Sequence, residues 1–242
     1  MNKLQCFVLF VLPGSDPDQT GKDGTPAGEG ASEACVDKAI TSSTSEEGPA
    51  GTKFAPLRLK SSKQTKTSIK LSWTKAKGAE RYVIYGSKCG KTVQKVKLAA
   101  VTGNSKTFTT IAGKKVKKGT YYKFIIVALD KNNKVVTTSK VVHAATKGGK
   151  AGNPKGVKVS KSVISKAAHL KKGKSLALKA TQMADPHDLK IQNHTRLRYE
   201  SGDTKVATVS GKGIVKGIGK GKCTIYIYAQ NGIAKEVKVT VK

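Results

Sequence analysis

The chain has 242 residues, with 46 Lys plus Arg against 15 Asp plus Glu and a formal net charge of +31 at pH 7. That length accommodates one or two domains, and a charge of this size sets up a positive field that favours anionic partners such as nucleic acid, cell-wall polymers, acidic glycans or a membrane surface. Only four of the cations are Arg (Arg58, Arg81, Arg196 and Arg198), which argues against base readout and bidentate phosphate grips, both of which favour Arg over Lys.

The charge is uneven. Residues 1–52 carry three basic and eight acidic side chains, and residues 53–242 carry the other 43 basic and seven acidic ones. The first twelve residues, MNKLQCFVLFVL, place one Lys before an apolar run shorter than the roughly 20 residues needed to cross a bilayer. Two readings stay open: a clipped secretion signal, or a hydrophobic start without consequence. From 15 to 52 the chain is mostly Gly, Ser, Thr, Asp, Glu and Pro. Such a stretch does not bury enough surface to offset an ordering entropy of roughly 1–2 kcal/mol per residue, so 1–52 is expected to be a leader remnant and disordered linker. Cys6, Cys35, Cys89 and Cys223 have no CxxC and no regular spacing, which indicates neither a zinc site nor a disulfide framework. No cofactor or metal is expected.

From Ser68 onward apolar residues alternate. SIKLSW puts Ile69, Leu71 and Trp73 on one face, the period-2 signature of a half-buried strand. ERYVIYGS follows, then KTFTTI anchored by Phe108, then TYYKFIIVALD, apolar on both faces as a central strand is. DKNNK makes a turn and KVVTTSKVVHAAT supplies a last strand. The Gly-rich stretch around 148–156 reads as a linker. Beyond it VKVS, KSLALKAT, RLRYES, KVATVS, GIVKGI, CTIYIYA and EVKVTVK repeat the strand pattern, with Asn231-Gly232 as a two-residue hairpin signal. No window of comparable length shows a helical period. The expected fold is all-β: two tandem Ig-like, Greek-key sandwiches over 53–147 and 157–242, each long enough for one modest core.

Trp73, Tyr82-x-Ile84 and the turn Gly119-Thr120-Tyr121-Tyr122 leading into TYYKFIIVALD are the marks by which residues 54–146 resemble a fibronectin type III domain. The resemblance implies that Trp73 is the core tryptophan and Tyr122 the tyrosine-corner residue. Tyr122, Phe124, Ile126 and Ala128 would then face the core. LKKGKSLALKA, Tyr199-Glu200-Ser201, Lys205 to Val209, GKGIVKGIGKGKCTIYIYA and the final VKVTV make residues 155–242 similar to a bacterial Ig-like domain of group 2, the type repeated in invasin- and intimin-like surface proteins. Tyr199 stands where that family usually has a tryptophan. The pairing implies a secreted or surface-displayed protein of Gram-positive bacteria.

Gly217, Gly219 and Gly221 imitate a phosphate loop, but strand-forming residues follow them and the spacing is not GxGxxG, so they read as a bend. Gly86 to Thr92 is one residue short of a P-loop and also precedes a strand, so it reads as a hairpin loop. His143, His169, His187 and His194 are isolated in sequence; His187 and His194 share a loop with Asp185 and Asp188 but lack metal-ligand spacing. No evident acid/base pair appears. Cys223 shares a face with Ile225 and Ile227, as a small core residue would.

Lysine clusters are the remaining candidates: Lys114, Lys115, Lys117 and Lys118 before the central strand; Lys171, Lys172 and Lys174 at a turn; Lys212, Lys216, Lys220 and Lys222 around the glycine bend. Edge lysines keep sheets from pairing with one another, which accounts for many of them without a ligand; salt-dependent polyanion contact is the alternative. The expectation is a non-enzymatic, monomeric, extracellular or cell-surface adhesion or spacer protein. Its partner would be a cell-wall polymer, a glycan or a surface protein of host or bacterium. Two rivals remain: an accessory, non-catalytic region of a larger surface glycan- or peptidoglycan-active enzyme, and non-specific nucleic-acid binding, which the few aromatics disfavour.

Overall fold

The computed structural model describes residues 29–45, 47–49, 52–184, 191 and 193–242. Helix α1 (Glu33–Thr41) comes first. Strands β1 (Lys60–Gln64), β2 (Ile69–Ser72), β3 (Arg81–Lys88), β4 (Val96–Val101) and β5 (Ser105–Phe108) follow, then β6 (Thr110–Ile111), β7 (Lys114–Lys115), β8 (Tyr121–Leu129), β9 (Val135–Thr138) and β10 (Val142–Ala145). After β11 (Pro154–Lys158) comes helix α2 (Lys161–Ala167), then β12 (Ser175–Ala177), β13 (Thr181–Ala184) and β14 (Arg198–Ser201). The chain closes with β15 (Ala207–Val209), β16 (Ile214–Gly217), β17 (Gly221–Tyr228) and β18 (Ala234–Val241). The fold is all-β with two short helices. Its two compact units are discontinuous in sequence. The first takes the described residues up to Leu59 with Ser72–Lys115 and Tyr122–Val141; the second takes Lys60–Leu71, Val116–Tyr121 and Val142–Lys242.

In the first unit β4, β3, β8 and β9 form an antiparallel run, with Tyr85 opposite Ile125 and Val83 opposite Val127. One face carries Tyr82, whose ring lies 5.5 Å from that of Trp73, and Phe124, 5.9 Å from Phe108. By alternation Tyr122, Ile126 and Ala128 share the Phe124 face, as the sequence suggested. The other face presents Val83, Tyr85, Ile125, Val127 and Leu129, and these pack around Val36 and Ile40 of α1. The apolar character of β8 on both faces is thus answered by a helix from the acidic segment.

That helix departs from the expectation for 1–52. Residues 1–28 lie outside the described ones, but 29–45 are ordered against the sheet. Gly30 donates to Val135 O and Val135 to Ala31 O, so the chain enters beside β9. The Ser32 side chain caps the helix by accepting from Cys35 N, and Glu33 sits in the first turn where the helix dipole favours an anion. Val36 and Ile40, four apart, share one face and are fully buried. A nine-residue helix is marginal alone; tertiary packing is what composition did not reveal. Cys35, on this helix, is disulfide-bonded. Past the helix, Lys95 and Lys123 are completely buried, and their ammonium groups donate to Ser43 O and Ser45 O, and to Thr44 O and Gly90 O, respectively.

In the second unit β14-β17-β18 and β12-β16-β15 form two antiparallel sheets. Ile225, Ile227, Val237, Val239 and Val241 meet Ala207, Val215 and Leu178 in one core, with Val163, Ile164 and Ala167 of α2 packed against it. Helix α2 is a second departure: it starts because the Ser160 hydroxyl accepts from Val163 N, and at seven residues it is too short to show a period. The hairpin at Asn231-Gly232 forms, but only Gly232 has positive φ (+84°). The loop is a tight turn closed by Gly232 N to Ala229 O and Ala229 N to Ile233 O, the bulged three-residue form rather than the two-residue one. Strand β11 begins inside the stretch read as linker, where Asn153 is buried and its amide pairs in both directions with Ala145.

Candidate polyanion-binding surface

All eleven lysines singled out by sequence are exposed. Lys114 and Lys115 form β7, paired with β6 in a two-stranded hairpin of the first unit. The other nine belong to the second unit. Lys117 and Lys118 precede Gly119, and their carbonyls accept from the Thr146 and Thr120 hydroxyls.

The turn carrying Lys171, Lys172 and Lys174 is fixed by backbone. Leu170 N donates to Thr240 O and Lys242 N to Leu170 O, so this buried leucine ties the turn to β18. Gly173 adopts φ +77° and donates to Gly217 O, while Gly217 donates to Lys174 O. A Cβ at Gly217 would lie 2.9 Å from the Lys171 carbonyl, so only glycine admits the turn this close. Helix α2 brings Lys166 in its last turn, with His169 just beyond. Lys166, His169, Lys171 and Lys174 line one cleft of about 430 Å³, with Ser165 and Ser175 on its walls and Leu170 and Leu176 as its apolar lining. Lys216 pairs in register with Ser175 and Thr208 and therefore shares their outward face. Lys166 and His169 were not legible as partners in sequence, because α2 itself was not.

Lys212 lines a different cleft of about 490 Å³ together with Arg196, Tyr199 and Gln182. Tyr199 packs on the core, and burial pushes its phenol above its ordinary range. Gly213, at φ +76°, sits so close to the Tyr199 ring that an added Cβ would be 2.6 Å from it. Lys220 stands on the glycine bend and Lys222 on β17 opposite Thr240. The bend joins strands β16 and β17, as expected of a turn, and Gly86 to Thr92 lies at the β3–β4 hairpin.

His143 and His194, isolated along the chain, stack with ring centroids 4.2 Å apart, and Tyr121 lies 4.9 Å from His194; His187, Asp185 and Asp188 lie outside the described residues. Cys223 packs against the core, and burial raises its thiol above its ordinary range, outweighing the Ser201 hydroxyl that bonds it. A thiol raised this way is a poor nucleophile at neutral pH.

Residues 155–241 match the bacterial Ig-like domain, group 2. No curated protein matches the chain. Among solved structures, the chain is similar to the fibronectin type III domain of human fibronectin type III domain containing protein 3, at 18% identity over 43% of this chain and 93% of that one, with a TM-score of 0.31. It is also similar to a β-1,2-glucanase from Parabacteroides distasonis, at 20% identity and TM-score 0.31 over 37% of this chain. A third is pectate lyase PelI from Erwinia chrysanthemi, at 16% identity and TM-score 0.28 over 36%. The chain covers 12% of the glucanase and 27% of the lyase. No helix among the described residues is long and apolar enough to cross a membrane.

Proposed function

We propose that this is a non-enzymatic, monomeric surface or spacer protein, displayed outside the cell, that attaches to anionic polymers through lysine charge rather than through an enclosed pocket. The observation that carries the reading is the exposure of all eleven loop and edge lysines in a chain of net charge +31. The group 2 Ig-like match over 155–241 supports display outside the cell. Point charges on mobile stems give attachment that is strong at low ionic strength and weakens as counterions compete. Retention of the whole chain on immobilised anionic polymers, titrated with salt from about 50 to 500 mM, tests it: binding should fall linearly on a log–log plot. Retention on neutral polymers, or retention indifferent to salt, would overturn it.

A further inference from the structure

The lysines of the second unit are not equivalent, because the fold draws some of them into one concave site with Lys166 and His169, which the sequence did not group with them. We propose that the cleft bounded by the end of α2 and the Lys171–Lys174 turn binds the phosphate groups of a base-free, phosphodiester-linked polymer. This deepens the electrostatic reading above and rests on it.

Four features of the cleft select the ligand chemistry. Lys166, His169, Lys171 and Lys174 line it and no acidic residue does, nor does any of these four have an ion-pair partner among the described residues. The cations that line it are lysine ammoniums, with no guanidinium. A guanidinium fork would grip carboxylate or phosphate bidentately; lysine ammoniums act instead as point charges, a recurrent way of holding phosphate. No Phe, Tyr or Trp lines the cleft, and its single ring, His169, gives no run of platforms for stacking successive bases. Ser165 and Ser175 add hydroxyl donors, and Leu170 and Leu176 supply apolar lining for the carbon spacer between successive phosphates. Lys216, on the same outward face as Ser175, offers a charge for a neighbouring phosphate of the same chain. Concavity sets this site apart from a flat lipid surface: Leu170 is only 6% exposed and does not protrude as a membrane anchor does.

The test uses the full chain at about 150 mM salt with four probes: poly(glycerol phosphate), polygalacturonate of matched charge, duplex DNA, and vesicles of phosphatidylglycerol with phosphatidylcholine. Poly(glycerol phosphate) should bind tightest and be displaced by inorganic phosphate. Replacing Lys166, Lys171 and Lys174 together by Ala should weaken it roughly tenfold, since three exposed ion pairs contribute modestly each. The control triple Lys60→Ala, Lys63→Ala and Lys70→Ala, outside the eleven lysines, should change it less than about twofold. All six side chains are exposed, and thermal melts of both triples should match the parent. Equal losses in the two triples would overturn the cleft while leaving diffuse electrostatic attachment standing. Tighter binding of polygalacturonate, DNA or vesicles would overturn the phosphodiester assignment. Retention of no polyanion at any salt would remove the underlying reading as well.

Discussion

Tyr85, on β3, donates its hydroxyl to the carboxylate of Asp37 on α1. The contact joins a residue at the centre of a buried sheet face to a helix from the most acidic part of the chain. Around it Arg81 and Lys97 pair with Glu33, and Lys97 also reaches Asp37 at 3.3 Å. Burial first, then the hydrogen bond to Asp37 and after it the Asp37 charge, hold the Tyr85 phenol far above its ordinary range. Its protonated form is therefore stabilised in the folded state, and this contribution persists until strongly alkaline pH. Tyr85→Phe should cost about 0.5–1.5 kcal/mol in urea unfolding. In a spectrophotometric tyrosine titration, Tyr85→Phe should remove one phenol from those that resist ionisation until the chain unfolds.

The acid limb runs the other way. The Arg81 guanidinium, and after it the Lys97 ammonium, hold the Glu33 carboxyl below the usual carboxylate range. That stabilisation is complete above the unfolded pKa of about 4.3 and is lost as pH falls through the lowered folded value. Glu33→Gln should cost no more than about 1 kcal/mol at pH 7, because the group is partly solvated, and should flatten the decline of stability below about pH 4.5. Parallel pH profiles for parent and variant would contradict this account.

Ile40 is fully buried between α1 and the sheet. Ile40→Ala should cost about 2–4 kcal/mol by the deletion of buried methylenes and the cavity left behind. Binding of a hydrophobic dye should rise before global unfolding, as the helix lifts from the face it covers.

Asn153 accepts from Ala145 N at 2.9 Å and donates to Ala145 O at 2.7 Å. Asn153→Ala strands both buried backbone groups and should cost about 1–3 kcal/mol. Asn153→Asp keeps only the acceptor and should recover a minor part of the loss. Amide exchange at Ala145 is the local readout.

Gly213→Ala combines an unfavourable φ with a Cβ 2.6 Å from the Tyr199 ring. It should cost more than about 1 kcal/mol, with a change in tyrosine fluorescence marking displacement of the ring.

Alternation made much of the architecture legible. Ile69, Leu71 and Trp73 are buried as their spacing requires, and Ile225 and Ile227 share the core of the second unit. What escaped notice was held by tertiary contacts rather than by local pattern. Helix α1 contributes only Val36 and Ile40 to the core, two apolar residues in a stretch whose composition reads as solvated. Helix α2 spans seven residues, less than the length over which a helical period emerges. The basic cleft followed it into obscurity: Lys171 and Lys174 were visible as a run, but Lys166 and His169 join them only because a short helix ends beside the turn.

The seat of α1 also bears on how this protein is to be trimmed. A shift from acidic to basic composition invites a cut near residue 53, and an expression clone begun there would leave Val83, Tyr85, Ile125, Val127 and Leu129 without the two aliphatic residues that roof them. It would also remove Glu33 and Asp37 as counter-charges to Arg81 and Lys97. Such a fragment would be stickier and more cationic than its parent, and polyanion affinities measured on it would overstate those of the intact chain.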